Sequence, residues 1–276
     1  LVDMAAVMDA VEGALRAHAR GETQMPVKVY LAFPEAEGDL RAMPASVGGA
    51  AGVKWINSHA CNATRHGRPT VRGILLLSDP ETADLLAVMD ATLITALRTG
   101  ASAGIATGAL ARPDARSIGL VGCGVQARYL LEAVQTARPQ IDRVCVHDRD
   151  AAAARAFAAE CGGEAVSLAQ AAACDVLCTA TPSRTPFLRR EWLRPGVHVN
   201  AMGADAHGKQ ECETAVLAAA RVFVDDMAQA GGSGEVNVPL ATGALTPEDI
   251  AGALGEVLEG GLVGRMDPDE ITLFDS

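Results

Sequence analysis

Ser117-Ile118-Gly119-Leu120-Val121-Gly122-Cys123-Gly124-Val125-Gln126-Ala127 is the stretch that decides the fold prediction. A short apolar run followed by G-x-G-x-x-A is typical of a buried strand, a glycine turn and a helix that together bind a dinucleotide. Gly122 permits the tight turn, Gly124 lets the backbone approach the pyrophosphate, and Ala127 lets the helix pack closely on the strand. The positions expected to contact the cofactor here are Gly122, Gly124, Val125, Gln126 and Ala127.

The strand predicted next along the chain indicates which dinucleotide binds. Val144–His147 is an apolar run that ends at Asp148. A carboxylate at this point accepts hydrogen bonds from both ribose hydroxyls and repels a 2′-phosphate, so the sequence predicts NAD as the cofactor. Arg149 leaves NADP as the weaker alternative, and an ordinary turn aspartate is the structural alternative for Asp148.

From Arg116 onwards the chain alternates between strands and helices. The predicted strands are apolar runs: Ser117–Val121, Val144–His147, Asp175–Ala180, His198–Met202, Arg221–Val224 and Ile271–Phe274. The predicted helices are alanine-rich segments: Ala127–Ala137, Ala151–Cys161, Glu213–Ala220 and Pro247–Leu258. This alternation predicts an α/β fold, a Rossmann-type doubly wound parallel sheet over residues 112–276, with ligands at the carboxyl ends of its strands.

Residues 1–111 have a different pattern and are predicted to form a smaller α+β domain. A helix over residues 1–20 precedes the β-like segments Val27–Phe33, Leu40–Pro44, Val53–Ile56 and Val71–Leu77. A loop is predicted over Asn57–Pro69 and a long helix over Ala83–Ala111. Glycine at every fourth position of that helix (Gly100, Gly104, Gly108) predicts close packing against a neighbouring element.

Composition and charge exclude several classes of protein. Hydrophobic residues make up 49% of the chain, enough for a substantial core, and acidic residues outnumber basic ones by 34 to 23. This balance disfavours nucleic acid and anionic membranes as partners, because both require a basic surface. No apolar run approaches the roughly 18 residues of a membrane span.

The cysteines and the chain ends lead to further expectations. The seven cysteines form no CxxC pair and no arrangement typical of zinc ligands, so we predict reduced thiols, a cytoplasmic protein and no metal. The chain starts at Leu1 within an amphipathic pattern and stops after a strand-like run. We therefore expect further segments beyond both ends.

Three further stretches resemble the ornithine cyclodeaminase/μ-crystallin family. They are Gly52-Val53-Lys54-Trp55-Ile56-Asn57-Ser58-His59 with Gly67-Arg68-Pro69-Thr70-Val71, the run Leu85–Gly100 that contains Ala96-Leu97-Arg98-Thr99-Gly100, and Asn200-Ala201-Met202-Gly203-Ala204-Asp205 with Gly208-Lys209-Gln210-Glu211. Lys28-Val29-Tyr30-Leu31 and Gly38-Asp39-Leu40-Arg41-Ala42-Met43-Pro44-Ala45 resemble its archaeal-type alanine dehydrogenase branch. The resemblance covers essentially the whole chain. It implies a homodimer formed through the first domain, and a family segment that follows the last strand and returns to that domain.

The resemblance also implies a small amino-acid or imino-acid substrate, whose carboxylate requires cations. The candidates are Lys28, Arg41, Lys54 and Arg98, of which Arg98 is also expected near the cofactor. Lys54 lies in an apolar strand-like run, where desolvation is expected to lower its pKa and to suit it to proton transfer. The structural alternatives are a lysine at a sheet edge for Lys54 and a solvated helix residue for Arg98.

Asp205 is the second catalytic candidate. It follows the predicted strand His198–Met202, where a carboxylate can take a proton from the substrate or activate water. A helix cap is the alternative for Asp205. The other positions that resemble family residues near the cofactor are Thr70, Thr181, Met202, Gly203, Lys209 and Ser276.

Four functions stay open. We favour NAD-dependent oxidative deamination of a small, alanine-like L-amino acid to the 2-oxo acid and ammonia. Ornithine cyclodeaminases carry a glutamate where this chain has Arg41, which disfavours a substrate with a distal ammonium group. The alternatives are an ornithine cyclodeaminase, a ketimine or pyrroline-2-carboxylate reductase, and a non-enzymatic nucleotide-dependent binding protein. The joint presence of Lys54, Arg98 and Asp205 disfavours the binding protein, which has no need of proton-transfer groups.

Overall fold

The computed structural model describes residues 2–276. By internal contacts, Arg16–Ala96 form one compact unit, and Leu97–Ser276 with the chain before Arg16 form the other. The division into functional domains at residues 111 and 112 stays a prediction. Within the described residues, no helix is both long and apolar enough to cross a membrane.

The smaller unit contains a five-stranded antiparallel sheet. After the first helix, α1 (Met4–Ala19), the strands are β1 (Val29–Phe33), β2 (Gly38–Val47), β3 (Ala50–His59), β4 (Val71–Ser78) and β5 (Leu85–Asp90). Each strand pairs with the next along the chain. The four strands predicted in this region are confirmed, β2 and β3 being longer than predicted.

Two predictions for this part of the chain are wrong. The segment predicted as a loop, Asn57–Pro69, contains the end of β3 and a one-turn helix, α2 (Asn62–His66). The predicted helix over Ala83–Ala111 begins only at Thr92, as α3 (Thr92–Leu110), because the preceding residues pair with β4 to form β5. Asp90 marks the change, since its carboxylate accepts the N–H of Thr92 at 2.8 Å at the start of the helix.

The larger unit is built on an eight-stranded parallel sheet. Its strands are β6 (Ser117–Val121), β7 (Arg143–His147), β8 (Glu164–Ala165), β9 (Val176–Thr179), β10 (His198–Ala201), β11 (Ala220–Val224), β12 (Ile250–Ala253) and β13 (Ile271–Asp275). They lie in the order β12-β11-β13-β10-β9-β6-β7-β8. The strand order reverses between β6 and β9, as in a dinucleotide-binding Rossmann sheet, so the predicted fold class is confirmed.

The remaining helices connect these strands. They are α4 (Val125–Ala137), α5 (Ala151–Cys161), α6 (Leu168–Ala172), α7 (Thr214–Ala219), α8 (Met227–Ala230), α9 (Asn237–Ala241) and α10 (Leu254–Leu258). The predicted helix over Pro247–Leu258 is wrong, because this segment forms a 3-10 turn, then β12, and only then α10. Gly252 has a φ of +147°, which an α-helix does not tolerate, and Ile250 pairs with Val222 at the sheet edge.

The regularly spaced glycines of α3 pack against α4, as predicted. A Cβ at Gly100 would lie 2.5 Å from the carbonyl oxygen of Tyr129, and one at Gly104 would lie 2.7 Å from that of Ala133. Any side chain would push the helices apart. This packing covers the strands that carry the predicted cofactor site, of which β6, β9, β10 and β13 are buried along their whole length.

Candidate functional site

The turn after β6 has the geometry that a pyrophosphate requires. Gly122 has a φ of +94°, and a Cβ on it would lie 2.7 Å from the carbonyl oxygen of Ala180. At Gly124 a Cβ would meet nothing within 4 Å. α4 begins at Val125 with Gly124 as its N-cap and no capping side chain, an arrangement that suits an anion at the start of the helix. The turn therefore fits a dinucleotide phosphate.

The other residues of the turn have distinct surroundings. Ala127 is fully buried in the main core beside the sheet, which agrees with its predicted packing role. Val125 is exposed and Gln126 is half-buried. Contacts of these two residues with a cofactor stay predictions.

Asp148 lies against the glycine turn. One of its carboxylate oxygens accepts the N–H of Cys123 at 2.8 Å, and the other accepts the N–H of Asp150 at 2.8 Å. A carboxylate can accept about four hydrogen bonds, so capacity remains for ribose hydroxyls. The bond to Cys123, which the sequence did not predict, couples the position of the carboxylate to that of the turn.

Asp205 and Lys209 form an ion pair in the loop after β10. Lys209 Nζ donates to Asp205 Oδ1, and the lysine side chain is only 14% exposed, unlike an ordinary surface lysine. Asn237, which sequence reasoning missed, is buried and holds this loop by accepting the N–H of Gly208 and donating to the carbonyl of Lys209, both at 2.9 Å. Residues 202–213 contain no helix, so Asp205 is not a helix cap.

A buried glutamate brings two of the predicted cofactor positions together. Glu211 Oε1 accepts the N–H of Thr181 at 2.7 Å, and Oε2 accepts the hydroxyl of Thr179 at 2.6 Å and the N–H of Gly203 at 3.0 Å. Burial raises the pKa of Glu211 above its ordinary value, and these hydrogen bonds oppose that rise. The adjoining Met202 is buried as well. Sequence reasoning assigned no role to Glu211.

Two further buried carboxylates continue from Glu211 towards β13. Glu235 accepts the N–H of Glu211 at 2.8 Å, and Asp275 accepts the N–H of Glu235 at 2.7 Å. Burial, and then the charge of Glu211, raise the pKa of Glu235 well above its ordinary value. Ser276 follows Asp275, and its hydroxyl donates to Asp225 at 3.1 Å.

In the smaller unit, the strand register places two of the predicted cations, Arg41 and Lys54, on one face of the sheet. Lys54 in β3 lies opposite Met43 in β2, two residues from Arg41. Tyr30 in β1 lies opposite Arg41, and Lys28 comes two residues before Tyr30. Because side chains alternate between the two faces of a strand, Arg41 and Lys54 share this face, which we call the cationic face. Lys28 directly precedes β1, and the same spacing leads us to expect it on this face.

A carboxylate that the sequence did not single out binds Arg41. Asp39 accepts hydrogen bonds from Arg41 Nε at 2.5 Å and from Nη2 at 2.9 Å. The guanidinium also lies 5.5 Å from the ring centre of Tyr30, and Arg41 is only 5% exposed. The pair is close to neutral, so it repels a distal ammonium group less than a lone Arg41 would. The guanidinium still offers only donors.

The last two predicted positions lie in different units. Thr70 directly precedes β4, and its carbonyl accepts the N–H of His59 at 2.9 Å. Arg98 belongs to the larger unit, is half-buried in α3, and its carbonyl accepts the hydroxyl of Ser102 at 2.9 Å. Their contacts with cofactor or substrate stay predictions, as does the lowered pKa of Lys54.

Comparisons with known proteins agree with this geometry. The family model described as the ornithine cyclodeaminase/mu-crystallin family matches residues 1–276. The chain is 46% identical over 281 residues to an alanine dehydrogenase of Archaeoglobus fulgidus, and the match covers 100% of this chain and 86% of that protein.

Solved structures of similar proteins have the same fold. An archaeal alanine dehydrogenase dimer with bound NAD superposes with a TM-score of 0.96 at 46% identity, over 100% of this chain and 87% of that one. The Δ1-pyrroline-2-carboxylate reductase of Thermococcus litoralis, in complex with NADH and L-proline, superposes with a TM-score of 0.94 at 31% identity, over 99% and 88%.

Proposed function

Because the chain belongs to the ornithine cyclodeaminase/mu-crystallin family, we propose that it is an NAD-dependent oxidoreductase acting on a carbon–nitrogen bond of a small amino or imino acid. Within this class we favour oxidative deamination of an alanine-like L-amino acid to the 2-oxo acid and ammonia. One observation carries the proposal: the glycine turn, Asp148 and the Asp205–Lys209 pair all follow the carboxyl ends of strands in one parallel sheet.

The choice of NAD rests on Asp148 and its surroundings. Its carboxylate is held at the glycine turn by the N–H of Cys123, and a negative charge there disfavours a 2′-phosphate. The solved archaeal relative has NAD bound, and the solved reductase has NADH bound. When bound, NAD supplies the acceptor for the hydride that leaves Cα of the substrate.

The residues of the chain supply binding and proton transfer. Lys28, Arg41, Lys54 and Arg98 hold the substrate carboxylate. Asp205 takes a proton from the substrate ammonium group, so that the nitrogen lone pair can form the imine as hydride leaves Cα. Water then adds to the imine carbon and gives a proton to neutral Lys54. Asp205 returns its proton to the nitrogen, and the C–N bond breaks to release ammonia as the hydroxyl loses its proton to Asp205 and becomes the carbonyl of the 2-oxo acid.

The second candidate function is reduction of a cyclic imino acid such as pyrroline-2-carboxylate. The likeness to the Thermococcus litoralis reductase favours it, and so does a set of cations suited to the carboxylate of an imino acid. The same residues serve this reaction in the opposite direction, with Asp205 or Lys54 donating the proton to the ring nitrogen. Ornithine cyclodeamination requires a place for a distal ammonium group, which the donor-only guanidinium of Arg41 does not offer.

A reduced-nicotinamide absorbance assay distinguishes these functions. We expect NADH to appear with L-alanine, and NADH to be consumed with pyruvate and ammonia. Consumption with pyrroline-2-carboxylate alone supports the second candidate, and proline formed from ornithine without net NADH supports cyclodeamination. NADH binding without turnover of any of these compounds contradicts the assignment as an enzyme.

Matched variants test the residues. Asp205→Asn and Lys54→Ala are expected to lower turnover about 100-fold or more, as removal of a general acid–base group does. Asp142→Asn and Arg194→Ala are controls at exposed positions, in the turn before β7 and in the segment before β10. Turnover that survives Asp205→Asn unchanged contradicts the role assigned to this carboxylate.

We also propose that the chain forms a homodimer through the face of the smaller sheet opposite the cationic face. Val29, Leu31 and Val88 lie on this opposite face and are 62%, 53% and 60% exposed. These exposed apolar residues lie on both edge strands of the same sheet face, which favours a surface that a partner covers, and the solved archaeal relative is a dimer. Light scattering after size exclusion is expected to give a dimer that Leu31→Asp dissociates. The control is Met266→Asp, at a 65% exposed position of the larger unit. A dimer that withstands Leu31→Asp contradicts this interface.

A further inference from the structure

Glu211 joins the carboxyl ends of two neighbouring strands. Its carboxylate accepts the hydroxyl of Thr179, the last residue of β9, and the N–H of Thr181 just beyond it. It also accepts the N–H of Gly203, two residues after β10. Glu211 and Thr179 are both fully buried. These three hydrogen bonds all lead to the two strand ends, so they hold one short segment of each strand in fixed register.

The packing around Glu211 leaves no room for adjustment. A Cβ on Gly203 would lie 2.4 Å from the carbonyl oxygen of Thr181 and 2.6 Å from Glu211 Oε2. The backbone of Glu211 is also fixed, because Glu235 accepts the N–H of Glu211 and that of Cys212. Displacement of Glu211 therefore shifts the backbone on both sides of it.

The strand order assigns these ends to one half of a bound dinucleotide. The glycine turn and Asp148 follow β6 and β7, which serve the adenosine half in a Rossmann sheet. β9 and β10 lie on the other side of the point where the strand order reverses, and they serve the nicotinamide half. The hydrogen bonds of Glu211 therefore lie at the strand ends that serve the nicotinamide half, and not at those that serve the adenosine half.

We infer that Glu211 is a positioning residue for the nicotinamide half of the cofactor, an inference that rests on the proposed NAD-dependent function. It acts through the N–H groups of Thr181 and Gly203, which it holds, and touches neither cofactor nor substrate itself. In Glu211→Gln, an amide NH₂ replaces one carboxylate oxygen, so a donor faces a hydroxyl or N–H group that is itself a donor. The Glu211→Gln variant therefore loses the register of one strand end while keeping the volume of the side chain.

Two ligands separate this role from a general structural one. NADH contains both halves of the dinucleotide, whereas ADP-ribose lacks the nicotinamide. For Glu211→Gln we expect the Kd of NADH, measured by its fluorescence, to rise about tenfold, equivalent to about 1.4 kcal/mol. The Kd of ADP-ribose, measured by calorimetry, is expected to stay within about twofold of the wild-type value.

A milder pair of variants covers the case in which Glu211→Gln does not fold. Thr179→Val removes only the hydroxyl that donates to Glu211, and is expected to raise the Kd of NADH about threefold. Thr179→Ser keeps the hydroxyl and is expected to restore wild-type affinity. The matched control is Asp175→Asn at the amino end of β9. Its carboxylate accepts four hydrogen bonds, from the N–H groups of Arg116 and Ser117, the Ser117 hydroxyl and Arg112 Nη2. It is expected to lower Tm and to change neither affinity.

Selective loss of NADH affinity in Glu211→Gln and in Thr179→Val supports the inference. Equal losses for NADH and ADP-ribose overturn it, as does unchanged NADH affinity in a folded Glu211→Gln or Thr179→Val variant. Failure of the wild type to bind either ligand is a separate result, which removes the proposed NAD-dependent function and this inference with it.

Discussion

Substitution of Gly124 by alanine is predicted to weaken dinucleotide binding at least tenfold without weakening the fold. Gly124 has a φ of −80° and a ψ of −164°, an extended conformation open to any residue, and its Cβ would meet nothing within 4 Å. Alanine therefore adds no strain, and it stabilises the protein by about 0.4–1 kcal/mol because the unfolded chain has less freedom. The new methyl group occupies the space through which pyrophosphate approaches the start of α4. Loss of one charge-assisted hydrogen bond there costs about 1.5–3 kcal/mol, at least a tenfold rise in the Kd of NADH.

Gly122→Ala is predicted to fail in a different way. Its φ of +94° costs an alanine about 1–2 kcal/mol, and a Cβ placed 2.7 Å from the carbonyl oxygen of Ala180 forces a backbone shift worth about 1–3 kcal/mol more. Gly162 supplies the matched control, with a φ of +70° and nothing within 4 Å of its Cβ position. Gly162→Ala therefore carries only the conformational penalty, about 1–2 kcal/mol.

Urea denaturation of the three variants gives the free energy of unfolding, and NADH fluorescence titration gives the Kd. The expected result is a stable Gly124→Ala protein that binds NADH at least tenfold more weakly, and a Gly122→Ala protein less stable than Gly162→Ala. If Gly124→Ala binds NADH within about threefold of the wild type, the pyrophosphate does not lie over this turn. If Gly122→Ala and Gly162→Ala are equally stable, the contact with Ala180 contributes nothing, and the reasoning from close approach is refuted.

Three further predictions follow from the sites described above. Asp148→Ser is expected to raise the Kd of NADH about tenfold and to reduce the preference over NADPH, because it removes the carboxylate that repels a 2′-phosphate; titration with both nucleotides checks this. Asp39→Asn is expected to raise the KM of the amino-acid or imino-acid substrate about tenfold with little change in the Kd of NADH, because it releases one edge of Arg41; an unchanged KM contradicts it. Burial lowers the pKa of His198 to about 3 in the folded protein. In the unfolded chain the ordinary pKa of about 6.5 applies, so below that pH the unfolded chain binds a proton that the folded protein does not. This contribution is complete above about pH 6.5 and is lost as the pH falls towards 3, so between about pH 7.5 and 5 the free energy of unfolding should fall by about 2 kcal/mol more in the wild type than in His198→Asn.

The parallel sheet was largely predictable because buried strands in such a sheet are apolar on both faces. Ser117–Val121 and Ile271–Asp275 are buried at every position, and each appears in the sequence as an uninterrupted run between turn residues. β5 and β12 were missed because neither strand is buried along its whole length. Leu85–Asp90 carries exposed apolar side chains next to an alanine-rich helix, and no local pattern separates the two.

The positions of the glycine turn and of Asp148 were also predictable, whereas the residues that support the candidate site were not. Gly122 and Asp148 follow predicted strands, so their positions along the chain already locate them at one edge of the sheet. Glu211 follows a lysine and a glutamine in a polar segment, which is typical of a solvated surface. Its carboxylate is bonded to Thr179 and to the backbone of Gly203. Both lie too far along the chain for a local sequence pattern to reveal the contact.

Asp39 was likewise not recognised from the sequence as the partner of Arg41. Its charge bears on which residue acts as the base. The four cations proposed to hold the substrate carboxylate and the carboxylate of Asp39 give a formal excess of three positive charges. If Lys54 is the base, it must be neutral, and the excess falls to two. If Lys54 stays charged, the excess remains three, and Asp205 alone must accept the proton. A preference for dicarboxylic over alanine-like substrates therefore favours Asp205 as the proton acceptor, whereas the reverse preference favours Lys54.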